Sequence, residues 1–153
     1  MKRLIAFIIA LTACSILLFS NSCMLIKLDP GKIELVNLYC GGVPADARRK
    51  TVTERDDVER IVKYVNKQRV SSETANVEPS IGGIGLYIEF VSSDGNKDAL
   101  YINHDWVAYK GKLYNIRKPH EIESEIWASY NYKETLVGED GLPDMDIPND
   151  AIR

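Results

Sequence analysis

Two histidines, three cysteines and one His-Asp dipeptide are the groups in this chain of 153 residues that could carry chemistry. His104-Asp105 stands between two strand-like stretches ending at Ile102 and starting at Trp106. Neighbouring strand residues point to opposite faces, so the pair does not form a ready base and orienter. In a turn, an aspartate bonds its own backbone instead. His120-Glu121 opens a helical pattern, where acids suit the dipole and a histidine has no special task. A metal site from His104 and His120 needs further ligands brought in by the fold, and no ligand spacing is present. Cys40, in Leu38-Tyr39-Cys40-Gly41-Gly42, has no local base to make it a nucleophile. No nucleophile–base–orienter set is visible, and neither metal nor cofactor is expected.

The other two cysteines have a different context. After Met1-Lys2-Arg3, the stretch from Leu4 to Phe19 carries no charge, and its only polar side chains are Thr12 and Ser15. A basic start, an apolar core and small residues beyond it are the parts of a secretory signal. Sixteen residues at 1.5 Å rise reach roughly 24 Å, short of a ~30 Å hydrocarbon core, although extension to Ile26 closes that gap. Export follows from the pattern, with cleavage or a retained anchor both open.

Leu11-Thr12-Ala13-Cys14 resembles the bacterial lipobox, and Ser20-Asn21-Ser22-Cys23 resembles it less well. Position favours Cys23. Cleavage before Cys14 leaves a short apolar core and strands Ser15-Ile16-Leu17-Leu18-Phe19 on the mature chain. Cleavage before Cys23 uses the whole run, with Ser20 and Ser22 as the small residues a signal peptidase needs. Cys23 is therefore the expected lipid-attachment site and Cys14 the runner-up. A diacylglyceryl group meets the two-chain requirement for stable anchoring. If Cys23 is not lipidated, a Cys23–Cys40 disulfide becomes available in an exported protein.

The rest must position whatever function there is. The net charge is −3 with basic residues scattered, which argues against nucleic acid as a partner. Lys32–Tyr39 alternates as a strand, "CGGVPADA" reads as a loop, and Arg48–Thr53 can pair back. Thr53-Glu54-Arg55-Asp56 looks like an N-cap with an acid three residues on, and Val58, Ile61, Val62 and Val65 share one helical face. Gln68–Gly85 is polar, and its Gly82-Gly83-Ile84-Gly85 lacks the Lys-Ser/Thr pair of a phosphate loop, so it reads as a flexible approach to a strand. Leu86, Ile88 and Phe90 alternate with Tyr87, Glu89 and Val91, Asp94-Gly95 supplies a turn, and Leu100 and Ile102 resume the pattern. A second hairpin runs from Trp106 to Tyr109 and from Lys112 to Ile116 around Lys110-Gly111. Pro119 suits the start of a closing helix with Ile122, Ile126 and Tyr130 on its core stripe.

These elements predict an α+β domain: an antiparallel sheet of about four to six strands with two helices packed on one face, preceded by the N-terminal signal or anchor helix. The expected organisation is a signal or anchor over 1–22, a tether over 23–31, the domain over 32–133 and an acidic disordered tail over 134–153. Tyr87, Tyr101, Trp106 and Tyr109 fall on the strand-rich half, and on a wet sheet face they would form a partner-binding surface.

The signal with its cysteine, "TVTERDDVERIVKYVNK" and "SDGNKDALYINHDWVAYKGKLYNI" together resemble the small, poorly characterised lipoproteins that Gram-positive bacteria export. The motifs of that resemblance are structural and carry no assigned chemistry; the expected function is a non-enzymatic module, lipid-anchored on the outer face of the cytoplasmic membrane, that binds an unknown protein or envelope component. The alternatives are a small envelope enzyme using His104, Asp105 or His120, a secreted protein, and a retained single-pass membrane protein with a structural role.

Overall fold

In the computed structural model, residues 23–24, 26–41, 43–74, 85–103, 106–116 and 126–144 are described. Among the described residues nine strands form one antiparallel sheet: β1 (Cys23–Met24), β2 (Ile33–Cys40), β3 (Arg48–Val52), β4 (Arg69–Thr74), β5 (Leu86–Ser92), β6 (Lys97–Asn103), β7 (Trp106–Tyr109), β8 (Lys112–Ile116) and β9 (Glu134–Leu136). Their order across the sheet is β1-β4-β8-β7-β6-β5-β2-β3-β9. The helix α1 (Arg55–Lys67) connects β3 to β4.

The middle of the sheet follows the local turn chemistry. Between β5 and β6, Gly95 sits at φ 81° and its N–H donates to Ser92 O at 2.8 Å, while Asp94 Oδ1 accepts from the N–H of Asn96. Between β7 and β8, Lys110 and Gly111 both have positive φ, at 51° and 69°. Two such residues match the twist of the flanking strands. β2 then pairs β5 and β3 on its two sides, with Leu38 opposite both Ile88 and Lys50.

Strand alternation divides the side chains between two faces. Val36 and Leu38 of β2, Leu86, Ile88 and Phe90 of β5, Leu100 and Ile102 of β6 and Val107 of β7 meet α1 in the main core. The helix contributes Val58, Ile61, Val62 and Val65, its four buried residues and the four of the predicted stripe. Burying such side chains stabilises by about 1.5–3 kcal/mol each before conformational entropy is set against it. The helix start differs from expectation. Glu54 is the N-cap with no side-chain cap bond, and Asp56 and Asp57 instead place negative charge in the first turn.

The expectation of four to six strands with two helices on one face is overturned. Strands β1, β4 and β9 were not foreseen, because RVSSET and ETL lack an apolar alternation; a strand at or near an edge is held by backbone hydrogen bonds that leave no side-chain pattern. Gln68–Gly85, read as a flexible approach, therefore contains β4. The expected closing helix is represented among the described residues by a single turn at 126–129, with 117–125 outside them. Ile126 and Tyr130 of its predicted stripe are buried in the main core.

The outer segments are also more integrated than expected. Of the anticipated disordered tail, Glu134–Leu136 pairs with β3, and the N–H groups of Val137 and Gly138 both donate to Ala47 O. Residues 145–153 lie outside the described part. Of the anticipated tether, Cys23 and Met24 pair with Val70 and Arg69, and Ile26 is 4% exposed. Between β1 and β2 stand β4, β8, β7, β6 and β5, which keeps half-buried Cys40 in a different part of the sheet from Cys23. A disulfide needs Cα atoms within about 7 Å, so the bridge considered above does not fit this order.

Candidate functional site

The face of the sheet away from α1 holds the residues of most chemical interest. Register sets Tyr87 opposite Tyr101, Tyr101 opposite Ala108, and Asn103 opposite Trp106. The rings of Tyr87 and Tyr101 lie 4.4 Å apart between centroids, and Trp106 meets Tyr101 edge-on at 5.2 Å. Such contacts add about 0.5–1.5 kcal/mol beyond area burial. Ala108, Leu113 and Ala99 complete this second, smaller cluster. Three of the four expected surface aromatics are thus brought together.

Their setting departs from the expected wet face. Tyr101 and Trp106 are only 7% and 5% exposed, and Tyr87 is half-buried. Burial pushes the Tyr87 hydroxyl above the ordinary tyrosine range. Tyr109 is on the other face, packed against the main core; its hydroxyl donates to Asp98 Oδ2 at 3.1 Å, and Lys110 Nζ lies 4.9 Å from its ring centroid. Among the described residues, Trp106 Nε1 is a buried donor without a hydrogen-bond acceptor. Leaving such a group unpaired costs about 1–3 kcal/mol.

Beside the aromatic row runs a polar chain across four strands. Glu89 is 7% exposed, in the middle of an otherwise apolar β5. Its Oε2 accepts from Asn37 Nδ2 at 2.8 Å and from the Tyr39 hydroxyl at 3.3 Å, and its Oε1 accepts from Lys97 Nζ at 3.1 Å. Thr51 Oγ1 donates to Asn37 Oδ1 at 2.8 Å and carries the chain onto β3. Burial, reinforced by the Glu89 charge, holds the Tyr39 hydroxyl above the ordinary tyrosine range, with Arg49 opposing. Sequence reasoning set Glu89 on this face but missed its role. The available signal was a lone acid inside an apolar strand, diagonal to a lysine across a short hairpin.

Glu89, Lys97 and Asp98 line a cavity of about 310 Å³ together with Lys110, Pro143 and Asp144. The small side chain of Ala99 leaves that space. Lys110 Nζ stands 3.5 Å from Asp98 Oδ2. Both cations and carboxylates thus line a volume at the lower end of small-ligand sites. Such a lining can hold a polar group of either charge by exchanging one of the existing partners.

Comparison with protein-family models, with curated proteins and with solved structures finds no match. The site must therefore be interpreted from its own chemistry. Among the described residues no three His, Cys, Asp or Glu side chains gather as metal ligands, and no helix is long and apolar enough to cross a membrane. His104, Asp105, His120 and Cys14 lie outside the described residues, as does the signal segment 1–22.

Proposed function

We propose that this protein is a non-enzymatic binding module of the cell envelope, exported and held on the outer face of the cytoplasmic membrane by lipid on Cys23. The observation that carries the binding role is the far sheet face. There a buried carboxylate, Glu89, and the unpartnered indole N–H of Trp106 share one face of the sheet with Tyr87 and Tyr101. A sheet that needed only packing would be at least as stable with apolar residues at such positions. The tethering role is supported by the signal pattern and by the start of the sheet at Cys23, where that pattern ends.

The intact mass of the membrane-associated protein tests the tether. A chain beginning at Cys23 with a diacylglyceryl increment is expected, and an unmodified mature chain recovered from the medium would sink it. A photo-crosslinking residue at exposed Asn115, opposite Trp106 on the far face, tests the binding role in cells. It is expected to trap an envelope partner that the same probe at Asp56 on α1 does not. Equal or absent crosslinking from both positions removes this face as the recognition surface.

A further inference from the structure

Between Leu28 and Ile33, the chain leading to β2 is hydrogen-bonded to α1 at both ends of the helix. The N–H of Leu28 donates to Asn66 Oδ1 at 2.9 Å, and its carbonyl accepts from Asn66 Nδ2 at 2.7 Å. At the other end of the helix, the Arg55 guanidinium donates to the carbonyls of Pro30 and Ile33 at 2.8 and 2.9 Å. Ile26 is buried in the main core, and Met24 pairs with Arg69. Cys23 itself pairs with Val70 of β4, so a lipid on that residue brings the β1–β4 edge to the bilayer surface.

Three exposed basic residues stand where β4 begins beside β1, ahead of the acid Glu73 farther along β4. Lys27, Lys67 and Arg69 are exposed, and among the described residues none of them forms an ion pair. On the same helix, Arg55, Arg60 and Lys63 each pair with an acid. Asp29, two residues from Lys27, has its Oδ1 engaged by the N–H of Gly31. The chain as a whole carries −3, so an unpaired basic group at this point runs against its average charge.

We propose that Lys27, Lys67 and Arg69 form a docking surface for anionic phospholipid headgroups, which lays the β1–β4 edge on the membrane and sets how the domain stands on it. The proposal rests on the lipid-anchored reading above. Basic residues next to an anchor are attracted to an anionic leaflet within about a Debye length.

The test uses the processed full-length protein, extracted from membranes and reconstituted on vesicles of phosphatidylglycerol and phosphatidylcholine or of phosphatidylcholine alone. Lysine acylation by a water-soluble reagent is followed residue by residue by mass spectrometry. Lys27 and Lys67 are expected to react roughly 5-fold more slowly each on the anionic vesicles. Lys97 and Lys110 should react alike on both, and Arg69→Glu or high salt should remove the protection. Equal reaction of Lys27 and Lys67 on the two vesicles, with the protein floating on both, overturns the docking surface and leaves the lipid anchor standing. Flotation on neither overturns both. Flotation on the anionic vesicles alone, with the protection present, supports the surface and removes the anchor. Protection by soluble polyphosphate on neutral vesicles, without protection by phosphatidylglycerol, overturns the assignment to lipid.

Discussion

Lys50 Nζ stands 4.4 Å from the centroid of the Trp127 ring and donates to the carbonyls of Trp127 and Tyr130 at 2.9 and 3.1 Å. One 7%-exposed lysine on β3 thus closes the C-terminal end of the 126–129 turn, whose last carbonyls have no partner within the helix. Glu134 Oε1, 3.7 Å away on β9, completes the arrangement. The C-terminal part of the fold is attached to the sheet at this point.

Lys50→Met, which keeps the volume and removes the donor, is expected to cost about 2–3 kcal/mol in urea unfolding, because two carbonyls lose a charged partner. Trp127 fluorescence should shift toward that of exposed indole. Unchanged stability and fluorescence would show that the turn docks through Ile126 and Tyr130 alone.

The Tyr132 hydroxyl donates to Asp57 Oδ2 at 2.9 Å, and burial together with that bond pushes its pKa from the ordinary 10.0 up to about 12. The folded state thus keeps a proton that the unfolded chain releases first. The contribution is fully present below pH 10 and is lost as pH rises toward 12. Tyr132→Phe should cost about 1 kcal/mol at neutral pH and flatten the stability profile in that alkaline window. A variant with the same alkaline slope as the wild type would exclude Tyr132 as its source.

Glu89→Ala leaves Asn37 Nδ2 and the Tyr39 hydroxyl without their acceptor and should destabilise by about 2–4 kcal/mol. Glu89→Gln keeps an acceptor and should cost less. In the Gln variant Tyr39 should ionise at lower pH than in the wild type, because the Glu89 charge is gone. It should remain above the ordinary tyrosine range, because burial is the larger cause. Phenolate absorbance during an alkaline titration reads both statements.

Two glycines with positive φ are expected to respond differently. Gly85 has φ 68°, and a Cβ there would press on the carbonyl oxygen of Ile102 and on the Tyr101 ring. Gly95 has φ 81° with open space around it. Gly85→Ala should cost about 2–4 kcal/mol and Gly95→Ala about 1 kcal/mol, as measured by thermal unfolding. Equal costs would mean that backbone strain alone decides, and that the aromatic cluster yields to the added methyl.

Much of the centre of this fold was legible in the sequence. The apolar stripe of α1, the Asp94-Gly95 and Lys110-Gly111 turns and the alternation of β2, β5 and β6 are local patterns, written in residues three or four apart in the helix and two apart in the strands. Local pattern also brought Tyr87, Tyr101 and Trp106 into view, since adjacent hairpin strands carry their own register. Grouping Tyr109 with them overlooked strand alternation, which puts Tyr109, three residues after Trp106, on the opposite face. The apolar run from Leu4 to Phe19, with Cys14 inside it and Cys23 just beyond, is an equally local pattern behind two positive charges.

The edges and the site belong to the tertiary structure. Strands β1, β4 and β9 pair through backbone groups that every residue carries, so CM, RVSSET and ETL announce nothing until a partner strand is beside them. The Glu89 network joins residues 52 apart in the chain and the Lys50 contacts join residues 77 and 80 apart. Burial turns an ordinary acid and an ordinary lysine into fixed partners, because a polar group removed from water must find its hydrogen bonds within the protein. Only the assembled sheet supplies that burial, and with it the far face.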